Sequence, residues 1–293
     1  MHVYVGTSGW SYSVGEGRLV VVFYPATPRL DHLAFYAQYF DAVEINSSFY
    51  RPIVPQMARG WVQRTPAHFR FTAKLYQKFT HPRMYEEATG RPADLSQDDF
   101  DQFKRGLEPL AEARRLGALL AQFPPSFKCE PGAVEYLEDL VRQFGEYPLV
   151  VELRHRSWTE HPEVPRWLGD LRVSWAMIDE PRFRSSVGDV PLTGPLGYFR
   201  FHGRNAQQWW SGDRETRYDY LYAEDEQGAL AAEVRQVAER GRETYVFYNN
   251  HFRAKAVVNA LHMKRLLGQP VATPLPAELV AAYPQLQRLA HGD

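Results

Sequence analysis

Eight short β-rich runs, helical periodicity between them, and no Gly- or Ser-rich linker to split 293 residues predict an α/β fold, a TIM-like (β/α)8 barrel. Parallel strands need crossovers, and eight strand–helix units in one chain close most simply on themselves, leaving no sheet edge open. The expectation is one domain over 1–293, with residues 269–293 packing on the barrel exterior as a tail.

The runs follow in order. Val3–Trp10 (VYVGTSGW) opens with β-branched and aromatic residues; Ala42–Tyr50 (AVEINSSFY) and Arg70–Leu75 (RFTAKL) alternate apolar with polar positions. Leu116–Phe123 (LGALLAQF) is apolar nearly throughout, as a strand covered on both faces should be. Pro148–His155 (PLVVELRH), Val173–Asp179 (VSWAMID), Gly197–Gly203 (GYFRFHG) and Tyr245–His251 (YVFYNNH) complete the set. Helical patterns follow the first run (LDHLAFYAQYF), precede the fourth (FDQFKRGLEPLAEARR), fifth (GAVEYLEDLVRQF) and eighth (ALAAEVRQVAERG), and follow the eighth (AKAVVNALHMKRLLG), where Gly268 is placed as a C-cap. Between the sixth and seventh runs, EPRFRSSVGDVPLTGPL is rich in Pro and Gly, so one outer helix is expected to be missing there.

Composition narrows the function. At 44% hydrophobic and 24% charged residues the chain is an ordinary globular one. No apolar run approaches the roughly 20 residues of a membrane helix, and the first residues lack a basic and then apolar leader, so a cytoplasmic protein without membrane contact is expected. A net charge of −1 provides no global positive field for coating a duplex. The single cysteine, Cys129, excludes an internal disulfide and a cysteine-clustered zinc site, and reads as a structural thiol.

The runs share one oddity: they finish in polar residues. Glu44 and Asn46 lie within the second run, Lys74, Gln122, Glu152, Arg154, His155, Asp179, Arg200, His202, Asn249, Asn250 and His251 fall late in theirs, and Arg204 follows the seventh. In a barrel of this class the strand C-termini open into the site, so these are expected as functional-face groups. Strand alternation puts Glu44 with Asn46, Thr72 with Lys74, Glu152 with Arg154, and Arg200 with His202 on the inner face. On the last strand the inner pair is either Tyr248 with Asn250 or Phe247 with Asn249. An inert ion-pair network is the competing account, but burying this many charges is costly without obvious stability in return, which favours a ligand site.

Glu44, Glu152 and Asp179 supply carboxylates for general acid/base work, Lys74 a cation for an oxyanion or phosphate, and His202 a further catalytic candidate. The arginines Arg154, Arg200 and Arg204 suit bidentate binding of phosphate or carboxylate, with Asn46, Tyr50, Gln122, Asn249 and Asn250 as further substrate contacts. Trp10 and Trp158 follow strand ends and are candidate pocket walls; Trp209 and Trp210 read equally as a stacking pair or a packed lid. His155, beside Arg154 and Arg156, reads as a structural hydrogen-bonder. His2, His81, His161 and His262 have no motif support.

The motifs GTSGWSY, FYP, VEINSSFYR, the Thr65–Lys74 stretch, QFPPSF, VELRHRSW, RFHGR and YVFYNNH with Ala256 and Asn259–Ala260 after it, in this order, resemble the family of proteins with domain of unknown function 72, the YecE-like proteins. The resemblance implies a TIM-like barrel and leaves the reaction open. One departure stands out: Ser13–Pro25 (SVGEGRLVVVFYP) carries no tryptophan ahead of FYP, which is expected to alter the pocket wall near the first strand.

The expected function is a metal-independent acid/base enzyme, a hydrolase or lyase, acting on a small anionic, phosphate- or sugar-like ligand at the C-terminal mouth, with no cofactor. The alternatives are a divalent-metal phosphodiesterase using Glu44, Glu152, Asp179, His202 and His251, and a barrel that binds nucleic acid without catalysis.

Overall fold

The computed structural model describes residues 2–11, 22–210 and 214–290. The departure expected at Ser13–Pro25 lies, through residue 21, outside the described residues. All eight runs form strands, and one of them forms two. They are β1 (Val3–Ser8), β2 (Ala42–Ile45), β3 (Arg70–Lys74), β4 (Leu116–Gln122), β5 (Leu149–Glu152), β6 (Ser174–Trp175), β7 (Met177–Asp179), β8 (Leu196–Phe201) and β9 (Glu243–Tyr248). Helices α1 (His32–Tyr36), α2 (Pro55–Arg64), α3 (Gln97–Glu112), α4 (Pro131–Phe144), α5 (Val164–Asp170), α6 (Glu224–Glu239) and α7 (Lys255–Leu266) lie between and after them.

The strands hydrogen-bond in the order β6-β5-β4-β3-β2-β1-β9-β8-β7. Both ends of that order belong to the single run Val173–Asp179. This is the α/β topology of a TIM-like barrel, with nine strands among the described residues in place of the eight expected. The break has a local cause: the Trp175 amide donates to Thr193 Oγ1 at 2.9 Å, and the same hydroxyl donates to Val173 O at 2.9 Å. A side chain thereby takes over backbone groups that a longer strand would pair. Residues 180–195 between β7 and β8 contain no helix, as their Pro and Gly content leads one to expect.

Two compact units interleave along the chain: Met1–Val43 with Ile178–Arg182 and Phe199–Asp293, and Glu44–Met177 with Phe183–Tyr198. In the first, β1 and β9 pair in parallel from Val3 opposite Thr244 to Thr7 opposite Tyr248. Gly6 sits where a Cβ would come 1.9 Å from Ala42 O, so only glycine allows this approach. Tyr36, on α1, receives the Thr7 amide at 2.7 Å and donates to Ala42 O at 3.1 Å; burial raises its pKa, keeping the donor proton in place. Asp31 caps α1, its Oδ1 accepting from Leu33 N at 3.0 Å and Ala34 N at 3.1 Å. Three acidic residues, Glu224, Asp225 and Glu226, occupy the first turn of α6, where the helix dipole favours them. α7 stops before Gly268 at φ +70°. Beyond it Gln269 Nε2 donates to Val3 O at 2.7 Å, Tyr39 OH donates to Pro274 O at 3.1 Å, and Leu275, Leu279 and Leu286 are buried.

In the second unit β3 to β6 pair in parallel, with a register shift between Phe71 and Thr72. The α3 N-terminus is fixed by Asp99, whose Oδ2 accepts from Ser96 N at 2.8 Å while Lys78 Nζ pairs with the same carboxylate at 2.9 Å. Phe79, Phe100, Phe103 and Phe144 interlock, Phe79 stacking on Phe100 at 4.8 Å and meeting Phe144 edge-on at 5.6 Å. That cluster anchors the segment Gln77–Thr80, and so the start of the loop that follows β3.

Candidate functional site

The predicted residues fall into two groups, one on each unit. In the second unit, three elements supply a hydrogen-bonded chain at the inner face. Tyr198 OH donates to Glu44 Oε2 at 2.8 Å, so the Thr72 hydroxyl, 2.9 Å away, donates to Tyr198 in turn. Glu44 and Thr72 are fully buried. Glu44 and Thr72, both assigned to the inner face by alternation, are joined here through Tyr198 of β8.

At the ends of β3, β4 and β5 the charges concentrate. Lys74 Nζ donates to Gln122 Oε1 at 2.8 Å and lies 4.4 Å from the Phe49 ring centroid. Arg154 Nε donates to Glu152 Oε1 at 2.6 Å, and Glu152 is fully buried. His81 belongs to the same group. Burial first, and then the positive charges of Lys74 and Arg154, push its pKa down to about 4. Thr80 Oγ1 lies 2.9 Å from His81 Nδ1, and Phe49 meets the ring edge-on at 5.0 Å. The imidazole is therefore neutral near pH 7. Asn46 has a buried Oδ1 with no hydrogen-bond partner. Tyr50 is half exposed, its ring edge-on to Phe49.

In the first unit Arg204 grips Asp179: Nε to Oδ1 at 3.0 Å and Nη2 to Oδ2 at 2.7 Å, with Nη1 on Glu226 Oε1 at 2.9 Å. Tyr222 OH donates to Asp179 Oδ1 at 2.7 Å, and Tyr220 OH to Glu226 Oε1 at 2.8 Å. The hydrogen bond to Asp179 is the main cause of a raised Arg204 pKa, and burial with the Asp179 charge raises Tyr222. The Asp179 oxygens are thus occupied from within, which fits an ion-pair network better than a proton carrier. His202, fully buried, has Nδ1 3.0 Å from Asn249 Nδ2; an amide N–H only donates, so the ring proton resides on Nε2. Tyr248, by contrast, donates to Gln227 Oε1 of α6 at 2.6 Å. Of the two pairings left open for the last strand, Asn249 is the one that shares a face with His202. Asn250 is buried, donating to Tyr220 O at 2.5 Å, and Arg200 is buried as well.

The tryptophans differ from expectation. Trp158 presents no surface: it stacks on Phe127 at 5.5 Å and Trp167 at 6.5 Å, and its Nε1 donates to Phe127 O at 2.8 Å, so it is core packing and not an open pocket wall. Trp10 is half-buried, its carbonyl accepting from Tyr24 OH. Trp209 is buried edge-on to Tyr218 while Trp210 is exposed, so the two do not act as a matched pair. His155 is the hydrogen-bonder expected, with Nδ1 2.9 Å from Ser157 Oγ and its pKa lowered by burial and by Lys128 and Arg156. Burial, and then Glu163, pushes the Cys129 thiol up, away from the reactive thiolate form. Among the described residues, no group of three or more His, Cys, Asp and Glu is arranged to hold a metal ion. No helix among them is long and apolar enough to cross a membrane.

His81 and Tyr198 were missed by reading the sequence. Tyr198 was recoverable, since it lies two residues before Arg200 on the same strand and so on the same face. His81 was not: it sits beyond β3 between the short helices Gln77–Thr80 and Pro82–Thr89, outside any strand period.

The sequence and the fold have known counterparts. The family model described as protein of unknown function DUF72 matches residues 4–281. The chain belongs to the DUF72 family. Among DUF72 proteins of solved structure, one from Thermotoga maritima MSB8 is 37% identical with a TM-score of 0.78, covering 92% of this chain and all of its own. One from Enterococcus faecalis V583 is 26% identical, also with a TM-score of 0.78, covering 94% of this chain and 99% of its own. The UPF0759 protein YunF of Bacillus subtilis (strain 168) is 31% identical over 278 residues, 90% of this chain and 94% of YunF. YecE of Escherichia coli (strain K12) is 29% identical over 185 residues, 60% of this chain.

Proposed function

We propose that this DUF72 protein is a metal-independent acid/base enzyme acting on a small anionic, phosphate- or sugar-like substrate at the Lys74–Gln122–Glu152–Arg154–His81 cluster. One observation carries the reading: two cations, a buried carboxylate and a histidine kept neutral share one set of strand ends. Fixed cations hold an anion and stabilise charge that develops on it, the task a metal ion performs elsewhere. They would also repel a divalent cation, which disfavours the phosphodiesterase alternative.

In this reading Lys74 and Arg154 clamp the anionic group, and Gln122 orients the Lys74 ammonium. Glu152 accepts the substrate proton. His81, neutral until an anion offsets the field of its cationic neighbours, returns one. Glu44, held by Tyr198 and through it by Thr72, is the second carboxylate. The cytoplasm is the compartment proposed, since a chain with one cysteine takes nothing from an oxidising one.

The test uses inorganic phosphate as the binding probe and p-nitrophenyl phosphate and glycosides as turnover probes. Lys74→Met and Arg154→Met should each weaken phosphate binding by about tenfold, an effect that fades with salt. Glu152→Gln, which keeps an acceptor for Arg154, should retain phosphate binding while losing turnover. Phosphate binding indifferent to both cation substitutions would refute the proposal.

A further inference from the structure

The two ring nitrogens of His81 have different surroundings. Nδ1 lies 2.9 Å from Thr80 Oγ1, whereas Nε2 makes no hydrogen bond among the described residues. The ring is half-buried, so Nε2 is the nitrogen left to a ligand. A hydroxyl and an imidazole nitrogen bond in either direction, and the direction here follows from what else Thr80 can reach. Thr80 is 3% exposed, and its hydroxyl has no acceptor other than His81 Nδ1 among the described residues. Were Nδ1 the donor, the hydroxyl proton would be buried without an acceptor, which is the costly arrangement. Thr80 therefore donates to Nδ1. The neutral ring, which burial and the Lys74 and Arg154 charges favour, then carries its proton on Nε2.

The support beneath this pair is built from the core. Tyr136 OH, on α4, donates to Phe79 O at 2.6 Å, and burial raises the Tyr136 pKa, which keeps that proton in place. His81 N donates to Gln77 O at 2.6 Å and Tyr85 N to His81 O at 3.0 Å, while the Phe79 side chain presents no surface. The backbone on either side of Thr80 is thus pinned, and the hydroxyl is held against the imidazole. Phe49 meets the same imidazole edge-on at 5.0 Å, and Lys74 Nζ lies 4.4 Å from the centre of that Phe49 ring. Gln122 repeats the pattern. Its Oε1 accepts from Lys74 Nζ, which can only donate, so its Nε2 is turned away from that bond and has no partner among the described residues. Two uncharged N–H donors, one imidazole and one amide, are left for a ligand beside the Lys74 ammonium.

We propose that Thr80 is a positioning residue for His81: its hydroxyl holds the imidazole in the Nε2–H form, so the ring meets substrate as a donor to an oxygen atom and not as a base. The inference rests on the acid/base reading of this cluster and sharpens it. Proton abstraction falls to a carboxylate, and the N–H at Nε2 stabilises charge that gathers on a substrate oxygen beside the anionic group. Nε2 is also the nitrogen that gives up, to that oxygen, the proton His81 returns. The Thr80 hydroxyl accepts as well as donates, so it stays bonded to Nδ1 when the ring is charged. A substrate with such an oxygen is an ester or glycoside, whose bridging oxygen departs with the leaving group.

Nitrogen NMR of the full chain, labelled at histidine, reads the protonation of each ring nitrogen and needs no variant. At pH 7 the His81 proton should be found on Nε2, with Nδ1 bare. Thr80→Val keeps the shape and removes the hydroxyl; the ratio of Nε2–H to Nδ1–H forms should fall about fivefold, the ordinary net worth of one hydrogen bond, and Thr80→Ser should restore it. Turnover of phenyl phosphate should follow: kcat about fivefold lower in Thr80→Val, recovered in Thr80→Ser, with phosphate binding unchanged. The loss should be smaller for p-nitrophenyl phosphate, whose leaving oxygen needs less help. A wild-type ring protonated on Nδ1, a ratio that Thr80→Val leaves where it was, or an unchanged kcat after the ratio has shifted overturns the inference. Phosphate binding that ignores Lys74→Met and Arg154→Met, with the Nε2–H form in place, instead refutes the acid/base reading and with it the catalytic use of the ring, while the hold of Thr80 on Nδ1 stands.

Discussion

His81 should report directly on the field of the strand-end cluster. In the folded protein, burial and the charges of Lys74 and Arg154 bring its pKa down to about 4, against 6.5 ordinarily. Between those values the unfolded chain holds a proton that the folded chain refuses. Stability from this group is therefore complete above about pH 6.5, falls as the pH drops through the window, and has gone by about pH 4. At 1.36 kcal/mol per pKa unit the whole shift corresponds to about 3 kcal/mol, and the portion reached at pH 5 to about 2 kcal/mol. Solvent reaches part of the ring, so roughly half of each figure is the expectation. Urea unfolding of the wild type and of His81→Gln at pH 7, 6 and 5 measures it: the wild type should lose stability relative to the variant as the pH falls. The ring's own titration, followed by NMR, should show a midpoint well below 6.5. Lys74→Met should raise that midpoint without restoring 6.5, because burial is the larger cause. Phosphate should raise it in the same direction. A ring that titrates near 6.5, or a low midpoint that neither Lys74→Met nor phosphate moves, would refute the account of this cluster.

Three further outcomes follow from the packing. Asp179→Asn removes the charge that holds Arg204 and receives Tyr222; since Arg204 is partly solvated, the cost is about 1–2 kcal/mol, read as a fall of a few degrees in Tm, and an unchanged Tm would mean that the network is not structural. Trp158→Ala empties a fully buried, stacked site and should cost about 3–5 kcal/mol in urea unfolding; a small loss would contradict its burial. Gly6→Ala forces a Cβ into the Ala42 carbonyl, so little soluble protein with native circular dichroism is expected, and a normal yield would show that β1 is not held where described.

The sequence by itself determined the strands and the polar character of their ends. Alternation is a property of the extended chain, so Glu44, Thr72 and Lys74 could be assigned an inner face from spacing alone, and eight runs with helices between them leave few topologies open. The Pro- and Gly-rich stretch at 180–195 likewise declared itself as helix-free, since those residues disfavour a helix wherever they fall. Only the tertiary structure decided which polar groups are spent on one another. Asp179 and Arg204 look like reactive groups in the sequence and are a closed pair in space, because what quenches them, Tyr222 for Asp179 and Glu226 for Arg204, lies 43 and 22 residues further on. Trp158 follows a strand end yet is core, and His81 follows no pattern yet joins Lys74 and Arg154. Periodicity reports which way a side chain points, whereas charge state, burial and pairing depend on neighbours distant in the chain, and these are set only when the chain has folded.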